Sequence, residues 1–321
     1  MIIMTRFVNL LIFLLAVFLL LFFLSATWVL IPLDTVDPIE KTLNIPYEYN
    51  SSRIRLLLEE ENIIRPYNVI FQLMTRFMKI DGRLQSGEYR FSSSQNLLEI
   101  IDQLVNGKVV LHRITLPEGY QSKQIARLLA DREIVEHDEF LQLVQEENEF
   151  QEGYLFPDTY VFPKSFGAVN VLNQMRQNFE KVVYQHVDPD WTFPADLNFH
   201  QIIILASIIE KEAQGKEDKP KIASVFYNRL TDGMRLQSCA TIQYLLDKPQ
   251  EGLTQQDLEI ESPFNTYQNF GLPPEPICNP GLDSILAAVN PAEEEYLYFV
   301  LGIDGKHIFS KTYQEHLENK P

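Results

Sequence analysis

The residues that could do chemistry in this chain gather between His200 and Gly281, beginning with two acids at the end of one helical pattern. In His200–Ala213 (HQIIILASIIEKEA) the apolar positions Ile202, Leu205, Ala206 and Ile209 recur at helical spacing. At about 100° per residue, Glu210 and Glu212 flank that stripe roughly 160° apart, while Lys211 turns towards solvent. Glu212 lies one turn beyond Ile208 and Ile209 and two beyond Leu205. A carboxyl pressed on such neighbours loses hydration, which favours the protonated form that a general acid needs. Acids near a helix end are more often solvated or paired with lysine, so the helix alone does not specify catalysis.

The segment after this helix is rich in hydrogen-bonding side chains. Pro220–Thr231 reads as a second amphipathic helix displaying Asn228 and Arg229, and Arg235 and Gln237 come next. Tyr244 is followed by Asn265 and Tyr267 within Ser-Pro-Phe-Asn-Thr-Tyr (262–267), then by the rigid run 271–281 (GLPPEPICNPG). Polar and aromatic groups on loops fixed by Pro and Gly suit a sugar, which presents hydroxyls around a C–H face. Other chemistries have less support. The six histidines show no HExxH-type spacing, and Cys239 and Cys278 are too few for a cysteine-based zinc site. Neither a metal nor a cofactor is expected. With 27 basic against 44 acidic side chains and no Lys/Arg cluster, nucleic acid is not an expected partner.

The elements that must position these groups lie in a mixed α+β chain of 321 residues. Residues 7–31 form an apolar run, and about 20 such residues cross a bilayer as a helix. The run is longer than a signal-peptide core and Ser25-Ala26-Thr27 is a poor cleavage site, so an uncleaved anchor is expected. Arg6 precedes it and acids come after it, which places the remainder outside the cytoplasm. Residues 32–52 read as a linker. Helical patterns occur at 53–61 and 69–78, a strand at 87–91, and a helix through Leu97–Leu104. A strand at 109–116, the turn Pro117-Glu118-Gly119, and helices at 122–131 and 138–145 come next. Residues 152–165 (EGYLFPDTYVFPKS) are either a stacking platform for sugars or a plug joining domains. No internal repeat is visible.

Here the motifs become specific. LASIIEKEA, KIASVFYNRL, GMRLQS, SPFNTY, the GLPP–PI–NPG run and YLYFV occur in order, with LPEGY (116–120) and GYLFPDTY (153–160) before them. Together they resemble the YceG-like family of endolytic murein transglycosylases across nearly everything after the anchor. The resemblance implies an N-terminal transmembrane helix (1–31), a region with a LysM-like α+β module (32–145) and a C-terminal α+β catalytic domain (146–321). It implies cleavage of the β-1,4 bond between N-acetylmuramic acid and N-acetylglucosamine in nascent peptidoglycan strands, leaving 1,6-anhydromuramic ends. Glu212 is then the catalytic acid and base, and Glu210 the supporting or alternative acid. The bacterial inner (plasma) membrane, cell-wall synthases and elongation or division proteins are the implied partners, with the catalytic domain periplasmic or extracytoplasmic.

Two departures stand out. Ala213 succeeds the glutamate where lytic transglycosylases often carry Ser or Thr. Where the family commonly reads Gln-Thr-Asp-Pro-Thr, this chain reads Gln237-Ser238-Cys239-Ala240-Thr241. A disulfide between Cys239 and Cys278 could restore rigidity lost with Asp-Pro. A non-catalytic peptidoglycan-binding scaffold, and a hydrolase using water, are the competing readings.

Overall fold

The computed structural model describes residues 2–66, 68–146, 151–246, 250 and 252–320; the side chains of 2–8, 25, 26, 28–30 and 69 lie outside that description. The chain is α+β and divides into two compact units, residues 1–112 with 163–165, and residues 113–162 with 166–321.

The first unit opens with α1 (Ile2–Leu30), whose large apolar side chains from Leu10 to Leu24 are exposed. Among the described residues no helix is long and apolar enough to cross a membrane, and part of the expected anchor lies outside them. Then come β1 (Glu40–Ile45), α2 (Ser51–Glu60), α3 (Val69–Phe77), β2 (Gly87–Ser92) and α4 (Leu97–Val105). The expected linker therefore contains a strand. β1 pairs antiparallel with β2, Glu40 opposite Ser92 and Ile45 opposite Gly87. Its residues alternate exposed and inward, and polar Lys41 at an inward position masks the apolar signal. Ile54, Leu58, Phe71, Tyr89, Phe91 and Ile100 fill this core.

In the second unit β3 (His112–Thr115), α5 (Ser122–Ala130), α6 (His137–Glu146) and β4 (Thr159–Phe162) precede α7 (Ala168–Val183), α8 (Phe199–Glu212) and α9 (Lys219–Thr231). They are followed by α10 (Cys239–Leu245), α11 (Gln255–Leu258), α12 (Leu282–Val289), β5 (Tyr298–Leu301), β6 (His307–Ser310) and α13 (Tyr313–Glu318). β3 pairs with β4, and α6 packs on α7, so residues 113–145 fold in one unit with most of 146–321, and that unit begins well before residue 146. Tyr154, Leu155, Phe156, Tyr160 and Phe162 are buried, which makes 152–165 largely core and not an open platform.

The structure also reveals a repeat that the sequence hides. Strand, two helices and a paired strand occur twice, β1-α2-α3-β2 and β3-α5-α6-β4, offset by 71 residues as from Ser51 to Ser122. The hydrogen bonds repeat with the elements. Ile63 N donates to Leu58 O at 2.9 Å and Ile134 N to Leu129 O at 3.0 Å, beside left-handed Asn62 (φ 59°) and Glu133 (φ 58°). Tyr89 donates to Gln85 O at 2.8 Å and Tyr160 to Phe156 O at 2.7 Å. Each tyrosine stacks on the aromatic ring two residues later with centroids 5.5 Å apart, Phe91 in one copy and Phe162 in the other. Tyr49/Tyr120, Ser51/Ser122, Leu58/Leu129, Ile63/Ile134, Gly82/Gly153, Tyr89/Tyr160 and Phe91/Phe162 are identical at this offset, but the matches are scattered singly and in pairs with a long unmatched stretch between Ile63 and Gly82, so the repeat is inconspicuous in the sequence.

Candidate active site

α8 starts at a capping box, with Asn198 accepting from Gln201 N and Gln201 reaching back to Asn198 N. Every residue from Ile202 to Ile209 is buried, so the helix is sheathed on all sides and not on one stripe. Its C-terminal end delivers the two glutamates into different surroundings.

Glu210 is closed in. Lys219, at the start of α9, approaches Oε2 at 3.1 Å, and the two side chains are only 7% and 9% exposed. The same oxygen accepts from Gly281 N at 3.0 Å and Ser284 Oγ at 2.6 Å, tying α8 to the first turn of α12. A buried carboxylate needs this much compensation.

Glu212 is half-buried, and only Oε1 is engaged. It accepts from the Ser238 hydroxyl, and from Ala240 N at 3.1 Å in the first turn of α10. No hydrogen bond to Oε2 occurs among the described residues. Ser238 is itself fixed: its N–H donates to Thr266 Oγ1 at 3.0 Å, and Thr241 Oγ1 donates to its carbonyl at 2.8 Å. Gln237, beside it, is exposed and held in the left-handed region (φ 49°), a conformation costly for a non-glycine residue.

The remaining expected residues sort by what their side chains already hold. Asn228 donates to Glu294 O and Tyr296 O at 2.8 Å each, and Asn265 to Leu258 O at 3.0 Å and Ile260 O at 2.8 Å. Both fasten loops. Arg229 is buried, donates to Leu297 O and Leu236 O at 2.7 Å each, and lies 5.2 Å from the Tyr298 ring centroid. Its charge also acts on Glu212 and Tyr267, while burial lowers its own pKa. Tyr267 meets Cys239 Sγ at 3.0 Å, and burial raises its phenol well above the ordinary value. Arg235 lies over the Phe270 ring at 4.8 Å, with both residues exposed. Tyr244 packs on Phe264 with centroids 5.0 Å apart.

Both cysteines are free. Cys239 faces Tyr267, and buried Cys278 donates to Ser207 O at 3.3 Å, so the two do not form the disulfide that the sequence left open. Among the described residues no group of three His, Cys, Asp or Glu side chains is arranged to hold a metal.

Sequence reasoning missed Asn279. Its Oδ1 accepts from Gly153 N and Leu155 N at 2.9 Å each. Its Nδ2 donates to Tyr120 O at 3.0 Å and to Glu152 at 2.6 Å. Its backbone exchanges further bonds with Gly119 and Tyr120. One residue thus locks the Leu116–Tyr120 turn and the 153–160 motif to the loop that reaches Glu210. Gly153 has φ +92°, and a Cβ there would lie 2.6 Å from Pro276 and 2.9 Å from Ile203, so only glycine fits. Burial pushes the Glu152 carboxyl up to about 7, against hydrogen bonds from Ser122 and Asn279.

The YceG-like family model matches residues 43–321. The endolytic murein transglycosylase of Bacillus subtilis (strain 168) is 33% identical over 320 residues, covering 89% of this chain and 87% of that protein. That of Streptococcus pneumoniae (strain D39) is 28% identical over 90% of this chain, which spans 59% of its length. A crystal structure of a yceG-like protein from Listeria monocytogenes matches with a TM-score of 0.59 and 31% identity, covering 88% of this chain and 100% of that one. With a family model reaching from residue 43 to the C-terminal residue, the chain belongs to the YceG-like family.

Proposed function

We propose that this protein is an endolytic murein transglycosylase in which Glu212 is the single acid and base. The observation that carries this reading is the contrast at the end of α8: Glu210 is closed in by a buried lysine, a backbone N–H and a hydroxyl, whereas Glu212 Oε2 accepts no hydrogen bond among the described residues. Ser238 and Ala240 fix Oε1, which leaves Oε2 to give a proton to the glycosidic oxygen. As the bond from muramic C1 to that oxygen breaks, positive charge develops at C1. Glu212, now a carboxylate supported by two donors and by the charge of Arg229, takes the proton from the same sugar's C6 hydroxyl. The C1–O6 bond forms, giving the anhydro end and returning the proton to Glu212. The nucleophile belongs to the reacting sugar, so a second carboxylate for water is dispensable and proximity supplies part of the acceleration.

Gln237 and Tyr267 border the acid through Ser238 and Cys239, and the Arg235–Phe270 face offers an exposed ring to a pyranose. Asn228, Arg229 and Asn265 act by positioning these loops. The helical conformation of α1 and its exposed apolar side chains support a single-pass anchor in the inner (plasma) membrane, with the rest periplasmic or extracytoplasmic and in reach of nascent strands and their synthases. The strand–helix–helix–strand order of 112–162 supports the LysM-like reading.

Digestion of purified glycan strands by the full chain in detergent, followed by mass spectrometry, tests the chemistry. Anhydro ends, one water lighter than reducing ends, are expected. Reducing ends would establish a hydrolase, and intact strands a scaffold.

A further inference from the structure

α3 turns outward what a helix in a packed unit usually turns inward. Phe71 and Thr75 are fully buried on its inner side, whereas Leu73 is 63% exposed, Phe77 90% and the C-cap Met78 49%. At about 100° per residue, Leu73 and Phe77 lie roughly 40° apart on the helix, so they form one stripe and not two scattered contacts with water. Basic side chains border that stripe. Arg76, Lys79 and Arg83 are exposed, and none has an ion-pair partner among the described residues. Between residues 68 and 83 the single acid is Asp81, whose Oδ1 is taken by Ser51 N at 3.1 Å. This is a local excess of positive charge in a chain with 27 basic and 44 acidic side chains.

The same helix begins where α1 ends. α1 packs beside α3, and Ile31, Pro32 and Leu33 adjoin Asn68, which caps α3 by accepting from Phe71 N at 3.3 Å. Arg65 closes this junction through the carbonyls of Ile31 and Pro32. With nine residues α3 is about 14 Å long, so its far end also stays close to the point where the chain leaves α1. A bilayer around α1 is therefore an apolar surface that the fold itself brings within reach of the stripe.

We infer that α3 lies flat on the outer surface of the bilayer that α1 crosses, with Leu73, Phe77 and Met78 in the acyl boundary and Arg76, Lys79 and Arg83 on anionic lipid phosphates. A surface amphipathic helix sinks its apolar side about 5–10 Å into that boundary, and each cation near an anionic leaflet adds to the attraction. A protein groove covers an apolar stripe equally well, but it has no general reason to be ringed by phosphate, whereas unpaired cations on the rim fit a plane of lipid headgroups. The supply of bilayer rests on the anchor reading of α1; the stripe and its charged rim do not. Two points of contact fix the rotation of the first unit about the anchor, which one helix alone leaves free.

The test uses the full chain reconstituted into vesicles of phosphatidylcholine, with or without phosphatidylglycerol, each containing a trace of lipid with a photo-reactive group high on its acyl chain. Labelled peptides are mapped by mass spectrometry, and labelling of residues 70–78 is read beside that of α1. Both segments are expected to be labelled, with 70–78 severalfold stronger in the anionic vesicles. Leu73→Glu and Phe77→Glu, both at exposed positions, should each cut labelling of 70–78 at least tenfold, leave α1 labelled and not lower the melting temperature. Arg76→Glu combined with Lys79→Glu should abolish the preference for anionic lipid. Labelling of α1 without 70–78, labelling of 70–78 that Phe77→Glu leaves unchanged, or equal labelling in the two vesicle types would each overturn the inference. Crosslinks from 70–78 to a second copy of the chain in place of lipid would do the same. Labelling of 70–78 without α1 would sink the anchor reading and leave this one standing, and labelling of neither would sink both.

Discussion

Glu210 and Glu212 sit two residues apart on one helix, yet the structure gives them opposite situations. Around Glu210 a buried lysine, a backbone N–H and a serine hydroxyl converge on one buried oxygen. Around Glu212 the donors found among the described residues approach one oxygen, from a loop and a helix terminus, and none approaches the other. A carboxylate whose partners are complete can hold a fold together but has no vacancy for a substrate proton. The number and placement of donors, more than the residue type, separates a structural acid from a reactive one.

Glu212→Gln puts this contrast to its hardest trial. It keeps shape and hydrogen bonds but cannot shuttle a proton, so release of anhydro-ended strands should fall by about 10²–10⁴-fold while thermal unfolding stays within a degree or two of wild type. Glu210→Gln should do the reverse. Leaving Lys219 buried without its partner should cost about 3–5 kcal/mol of stability, read by denaturant unfolding. Activity should persist in whatever fraction stays folded. If Glu210→Gln unfolds normally and loses all turnover, the roles are exchanged.

Smaller effects refine the distinction. Ser238→Ala removes a hydrogen bond to a charged group, worth about 1.5–3 kcal/mol, so kcat should drop by at least about tenfold with KM little changed. An unchanged kcat would mean that Ala240 N alone positions Glu212. Glu152 offers a third case, a buried acid held mainly by neutral donors. Its folded pKa of about 7 exceeds the ordinary 4.5, so the folded state binds the proton more tightly than the unfolded. Its contribution is therefore most favourable below about pH 4.5 and declines as pH rises to about 7. Glu152→Gln lacks that slope, so its melting temperature relative to wild type should rise by a few degrees between pH 5 and pH 8. A constant difference would place the carboxyl's titration outside that window.

Much of this was legible in the sequence because the relevant signals are local. The pattern of α8, the flanking acids and the loops rich in Pro and Gly are all set by neighbours in sequence. What stayed hidden depends on distant partners. Ser238 reaches Glu212 across 26 positions, and nothing in Gln-Ser-Cys-Ala distinguishes a hydroxyl aimed at a carboxylate from one capping a helix. Asn228 and Asn265 have the composition of sugar ligands, but backbone carbonyls far from or near to them in sequence had already taken their amides. β1 escaped because Lys41 occupies an inward position, which leaves only Leu43 and Ile45 to show the alternation, and its partner lies over 40 residues on. The repeat escaped because its identities, Ser51/Ser122, Ile63/Ile134, Gly82/Gly153 and Tyr89/Tyr160 among them, are dispersed, and only the shared hydrogen bonds and ring pairs show that they belong to one pattern.

The chain leaving α1 has almost no slack. Arg65 donates to the carbonyls of Ile31 at 2.7 Å and Pro32 at 3.0 Å, and Asp34 N donates to Ser93 O at 3.0 Å. Nine residues, 31–39, separate α1 from β1 and could extend about 30 Å if free, but these bonds reel in the first of them. With α1 in the bilayer as proposed, the first unit is leashed at the membrane surface, within a layer far thinner than the reach of a loose linker. A short leash raises the local concentration of a binding site for anything made in that layer and removes it from anything beyond. Strands would then be met as they emerge from the membrane, and mature wall lying farther out would be spared by tether length alone.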